Sequence, residues 1–180
     1  MISSGTYEVG PRQGTLQLHT GREGVAKKVG HDLVIEAKAW TAKVNVDGDD
    51  LTRSTASVTV DTRSLEVVSG TGGAKPLSDK DRKDIKENID KKVLKTDKFP
   101  DITFQSSRVE SKGADKATVH GDLTIMGTAR PASMDIVVSG NKANGTMTLR
   151  QSDFGIKPFS ALMGALKLAD ELTITVEATV

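Results

Sequence analysis

The 180-residue chain contains no cysteine, which excludes a disulfide framework, thiolate metal sites and a cysteine nucleophile. Aromatic residues make up only 3% of it: Tyr7, Trp40, Phe99, Phe104, Phe154 and Phe159. So few rings leave little for stacking bases or sugars, and aliphatic side chains must line whatever interior forms. Neither sign of charge dominates. The formal net charge is +1, without the field of a dedicated nucleic-acid binder. No segment is uniformly apolar over a membrane-spanning length, and Met1-Ile2-Ser3-Ser4-Gly5 lacks the basic start and apolar core of a signal peptide. These absences lead us to expect a cytoplasmic protein, or a secreted one if a leader has been trimmed. Hydrophobic content of 36% and charged content of 27% are those of an ordinary folded chain, and the length suits a single domain over residues 1–180.

What is present is alternation with a period of two, the mark of strands buried on one face. It runs through Thr15–His19 and through Asp32–Val46, where Leu33, Ile35, Ala37 and Ala39 share a parity. Ser57–Asp61 reads as a strand by its β-branched residues. Further strands are expected over 102–109, 117–126, 132–139, 145–151 and 171–180, about eight in all, with Gly127 and Arg130-Pro131 as the turn between two of them. Thr20–Gly30 and Ser69–Gly73 read as loops. Between Leu77 and Leu94 the period changes: Ile85, Ile89 and Val93 recur every fourth residue on an otherwise charged helix, and Ser78 with Asp81 forms a capping box. Its charged start, Asp79 to Asp84, reads as a solvated face. Phe159–Leu168 interrupts the pattern as a loop or short helix against the mouth of a barrel. The expected fold is all-β, an antiparallel barrel with one short amphipathic helix. At eight strands, closure leaves room for side chains or one slim ligand.

Several stretches, in order, resemble the YceI-like family of lipocalin-like, polyisoprenoid-binding proteins: His19-Thr20-Gly21, Lys98 through Ser106, Gly121 through Ile125 with Gly127 and Pro131, Ser152 through Ile156, and Ala169 through Ile174. The resemblance covers nearly the whole chain. It implies an eight-stranded barrel with an elongated apolar tunnel that holds the isoprenoid tail of a quinone or lipid.

Sites of chemistry are weakly signalled. His19, His31 and His120 are the only histidines, and their spacing matches no helical metal motif. Ser152-Asp153 lacks a nucleophile elbow. Arg22, Lys27 and Lys28 offer a basic cradle for a pyrophosphate. The reading that follows is a binding protein without catalysis, metal or cofactor. The tail would lie against Leu18, Leu33, Ile35, Phe104, Leu123, Ile125, Ile136, Val138, Ile174 and Val176, with His31 and Asp32 meeting the head group. The partner is then a polyisoprenoid lipid or quinone, with no nucleic acid and no membrane span; a homodimer is left open. The alternative is a solidly packed barrel, blocked by Phe104, Met147 and Leu149, that serves as a protein-interaction or stress-related module without a ligand.

Overall fold

Side chains that alternate between solvent and core let one antiparallel sheet curl around its own apolar face. The structure is a computed structural model and describes residues 3–180. Its strands are β1 (Gly5–Val9), β2 (Gly14–His19), β3 (Arg22–Glu23), β4 (His31–Ala37), β5 (Trp40–Val46), β6 (Thr55–Asp61) and β7 (Leu65–Gly72). Helix α1 (Asp79–Asn88) follows, then β8 (Asp101–Gly113), β9 (Lys116–Ile125), β10 (Thr128–Ser139), β11 (Lys142–Arg150), β12 (Ser160–Ala161), β13 (Leu166–Leu168) and β14 (Glu171–Thr179). The main sheet has the order β1-β5-β6-β8-β9-β10-β11-β14-β2-β4-β7, and β12-β13-β3 form a small second sheet.

The all-β, barrel-like architecture agrees with the sequence, but the count of eight strands is corrected to eleven in the main sheet. The surplus has a physical origin, because extended runs break where the sheet turns a corner. The run 32–46 divides at Lys38-Ala39, and β6 passes into β7 through a single turn at Thr62–Ser64. The two corners are laced together: Lys38 N–H donates to Ser64 O (3.1 Å), Ala39 N–H to Ser64 Oγ (2.9 Å) and Asp61 N–H to Ala39 O (3.0 Å). Inward parity also flips there. Leu33, Ile35 and Ala37 are buried before the corner, Ala39 is exposed, and Trp40 and Val46 are buried after it. Thr62, only 1% exposed, meets its hydrogen-bonding need by donating its hydroxyl to the carbonyls of Phe99 and Pro100, each 2.9 Å away.

Two loop readings are likewise corrected. Ser69–Gly72 belongs to β7 and pairs with β4 from Val34 to His31. Leu77 packs over Gly70, where a Cβ would push its side chain aside. Arg130-Pro131 lies inside β10, and the turn is the two-residue Met126-Gly127 hairpin, with both φ values positive (50° and 75°). Counted from the pair that closes this turn, Pro131 opposes Asp122 at a non-hydrogen-bonded position, and β11 joins β10 only from Asp135. Its missing N–H therefore costs the ladder nothing.

The sheet ends at β1 and β7. The free edge of β7 is covered by α1, whose Arg82 Nη1 donates to Val67 O (3.1 Å) and Val68 O (3.0 Å), at the bulge opposite Val34 and Ile35. This satisfies carbonyls that an open edge would offer to another chain. The expected capping box is present: Asp81 N–H donates to Ser78 Oγ (3.1 Å) and Ser78 N–H to Asp81 Oδ2 (2.9 Å). The helix of the sequence reading ends early, because Ile89–Val93 form a wider π-helical turn. A strict four-residue repeat drifts around an α-helix, and the wider turn brings Ile89 and Val93 back onto the core.

Carboxylates pin several turns. Asp47 accepts from Arg53, Asp61 from Arg63, Asp81 from Ser78 and Asp170 from Ser152, and each contact holds the carboxyl below its ordinary value of 3.8. Because these folded values are depressed, the stability they contribute is complete above about pH 3.8 and disappears as pH falls through the lower folded values. We expect Tm to be flat from neutral pH to about 4.5 and to fall below it, with a shallower acid limb in Asp170→Asn. An unchanged acid limb in that variant would show that Asp170 is not among the responsible groups.

Candidate functional site

Inside the curled sheet lies a cavity of about 380 Å³. Its walls follow strand parity. β5 contributes Trp40, Ala42, Val44 and Val46; β9 contributes Ala117, Val119, Leu123 and Ile125; β14 contributes Leu172, Ile174, Val176 and Ala178. Helical Ile89 and Val93, with Leu94, close a side beside β7. Small residues at inward positions, among them Ala42, Ala56, Ala143 and Gly145, leave the central volume unfilled. Phe104, Met147 and Leu149 line this space and do not block it.

Of the residues assigned to a ligand from sequence, Leu18, Ile35, Phe104, Leu123, Ile125, Ile136, Val138, Ile174 and Val176 are brought together in the cavity wall. Leu33, His31 and Asp32 are not. Leu33 is buried beside Gly70 and Leu77, outside the cavity. The imidazole Nε2 of His31 lies 2.7 Å from Lys75 O. Asp32 accepts from Arg22 Nε at 2.9 Å, and Arg22 also donates to the carbonyls of Lys27 (3.0 Å) and Gly30 (2.6 Å). The same contacts spend the Arg22 guanidinium on fastening the 22–32 loop, which leaves Lys27 and Lys28, both exposed, as the cations of the expected basic cradle. Polar residues that do reach the cavity are Ser54, Thr55, Asp115 and Lys116 at one end and Thr20 and Gln151 towards the other. The sequence reading missed all six because they sit in turns or at the first residue of an element, where parity carries little signal.

The remaining polar candidates are dispersed. His19 Nε2 lies 3.0 Å from Thr175 Oγ1, and His120 sits between Ser133 Oγ (2.7 Å) and Glu110 Oε2 (3.3 Å). Among the described residues no group of three histidine or acidic side chains is placed to hold a metal. The Ser152 hydroxyl donates to Asp170 Oδ2 at 2.5 Å, and Asp153 O accepts from Arg130 Nε at 2.9 Å. That serine anchors a turn. Among the described residues no helix is long and apolar enough to cross a membrane.

Trp40 is the single tryptophan. It lies in the cavity wall at 5% exposure, and among the described residues its indole N–H is the buried side-chain group without a hydrogen-bond partner. A buried donor left so costs about 1–3 kcal/mol. Its ring is also a built-in probe. We expect an apolar ligand entering the cavity to change Trp40 fluorescence saturably, with no change in the Trp40→Phe variant.

Comparison with known proteins agrees with this fold. A UPF0312 protein of Pseudomonas putida strain F1 is 35% identical over 94 residues, 47% of each chain; the chain spans about half the length of the curated relatives it matches. Among solved structures, BcnA of Burkholderia cenocepacia superposes with a TM-score of 0.69 at 20% identity, covering 93% of this chain and 96% of that one. A polyisoprenoid binding domain from Saccharophagus degradans, implicated in plant cell wall breakdown, superposes with a TM-score of 0.58 at 8% identity over 99% and 100% of the two chains. The model of the YceI-like domain matches residues 7–180, and the chain belongs to that family.

Proposed function

We propose that this protein binds the isoprenoid tail of a quinone or polyprenyl lipid in its central cavity, as a carrier or a store, and does no chemistry on it. The observation that supports this most is a cavity of about 380 Å³ whose wall is almost wholly aliphatic. Such a space favours a hydrocarbon and offers water few partners. Burying about 300 Å² of ligand surface yields roughly 7 kcal/mol before association costs, enough for a useful affinity once the pocket is preformed. Leu18, Ile35, Phe104, Leu123, Ile125, Ile136, Val138, Ile174 and Val176 would contact the tail. Lys116, Asp115, Ser54 and Thr55 take over the head-group role that the sequence reading gave to His31 and Asp32. The polyisoprenoid named for the Saccharophagus degradans neighbour is consistent with such a ligand.

Native mass spectrometry and solvent extraction of the purified protein test the reading. The expected result is a copurifying lipid of several hundred daltons, or uptake of a trisprenyl ketone, farnesylacetone, at one molecule per chain. Protein that carries no lipid and takes up no prenyl probe would sink it.

A further inference from the structure

One end of the cavity is covered by a lobe made from two distant segments, 22–30 and 156–168, joined through β3, β13 and β12. The lobe is tied at Ala165, which accepts from Ala26 N–H (2.9 Å) and donates to Leu162 O (3.1 Å). On its outside stand apolar side chains in solvent: Val25 is 94% exposed, Leu162 59%, Val29 48%, and Met163 is fully exposed. Single exposed apolar residues are ordinary; this set gathers on one small lobe. Leu162 and Met163 are moreover consecutive non-glycine residues with positive φ (52° and 56°), a backbone that such side chains rarely adopt. The fold gains no burial in return, since both point outward.

The lobe also carries positive charge. Lys27, Lys28, Lys157 and Lys167 are exposed in the same two segments, against a single acidic residue, Glu23. Exposed apolar tips and exposed lysines on one lobe match the chemistry of a bilayer with anionic head groups, where the tips reach the acyl boundary and the ammonium groups meet phosphate. The lobe is also continuous with the cavity: Phe159 and Leu168, linked by Leu168 N–H to Phe159 O (2.9 Å), face the cavity from its inner side.

We propose that this lobe docks the protein on an anionic lipid bilayer, with Val25, Leu162 and Met163 entering the interface. Docking rests on the surface alone. That the docked lobe stands where a lipid tail would pass between bilayer and cavity rests on the proposed function above.

The test is co-sedimentation of the full chain with phosphatidylcholine vesicles, with and without about 30% phosphatidylglycerol. The expected result is at least about tenfold stronger binding to the anionic vesicles, most of it lost in about 0.5 M NaCl. The double variants Val25→Asp/Met163→Asp and Lys27→Glu/Lys28→Glu should each weaken it about tenfold or more. Their uptake of soluble farnesylacetone, read from Trp40, should match that of the wild type. No vesicle binding, binding indifferent to both double variants, or a lobe that instead retains only a protein partner would overturn the docking proposal. Wild-type protein that binds anionic vesicles yet takes up no farnesylacetone would overturn the cavity reading and leave docking standing.

Discussion

Replacing Ala42 by phenylalanine should abolish uptake of a prenyl probe while leaving the sheet folded. Ala42 lies on β5 opposite Val9 of β1 and Val58 of β6, and it contributes to the cavity wall. A benzyl group grown from its Cβ enters a space of about 380 Å³, and phenylalanine is at home in a strand. If the ring displaces half of a buried tail, about 150 Å² of apolar contact is lost, roughly 4 kcal/mol or about a thousandfold in affinity. Stability should hold or rise, because the added ring gains contacts against a lumen that is otherwise loosely filled. Titration calorimetry for the probe and a melting curve for the fold separate the two effects. Wild-type affinity in Ala42→Phe would mean that the lumen is not where the ligand lies.

The expectation for Ala42 depends on a parity that the sequence concealed. Alternation was legible wherever a strand runs unbroken, which is why Leu123 with Ile125, Ile136 with Val138 and Ile174 with Val176 were assigned to one interior and the structure places all six in its wall. It failed at the corner, where Lys38 and Ala39 leave the ladder and the inward set changes from odd to even numbers; Ala42 and Val44 were therefore passed over. A corner of this kind is set by contacts from Ser64 and Asp61, distant in sequence, and no local pattern announces it. Strand β7 escaped for a related reason. Its glycines signal a loop locally, yet β4 supplies the pairing that makes it a strand, and Leu77 packs over Gly70. The head-group residues were the least legible part. His31 and Asp32 have suitable chemistry, but whether a loop residue faces a cavity or a neighbouring loop is decided by partners such as Arg22 and the Lys75 carbonyl. The helix was legible in its start, its cap and its apolar stripe, because all three are local.

Two glycines in the barrel wall should respond in opposite ways to alanine, although both are buried in central strands. At Gly121 on β9 a Cβ would collide with the backbone carbonyl oxygen of Gln105 and approach Phe104 Cζ to 2.7 Å. This is where β8 carries a bulge, between Ser106 and Arg108, so the backbones are drawn close and cannot part without breaking the ladder. Gly121→Ala should therefore cost about 2–3 kcal/mol, a fall in Tm of roughly 5–10 °C for a chain of this size. It should also disturb the probe site, because Phe104 must move and Phe104 belongs to the cavity wall. At Gly145 on β11 the added Cβ meets Met134 Sδ at 2.7 Å and Ile136 Cδ1 at 3.0 Å. Both are ends of side chains with rotatable bonds, and methionine in particular can swing into the open lumen. The gain of about 0.5–1 kcal/mol from removing glycine's backbone freedom then offsets the displacement, and Gly145→Ala should melt within about 1 kcal/mol of the wild type. Equal melting temperatures for the two variants would refute the close approach of β8 and β9. A large loss at Gly145 alone would mean that Met134 has no room to move, and with it that the lumen is narrower than the ligand reading requires.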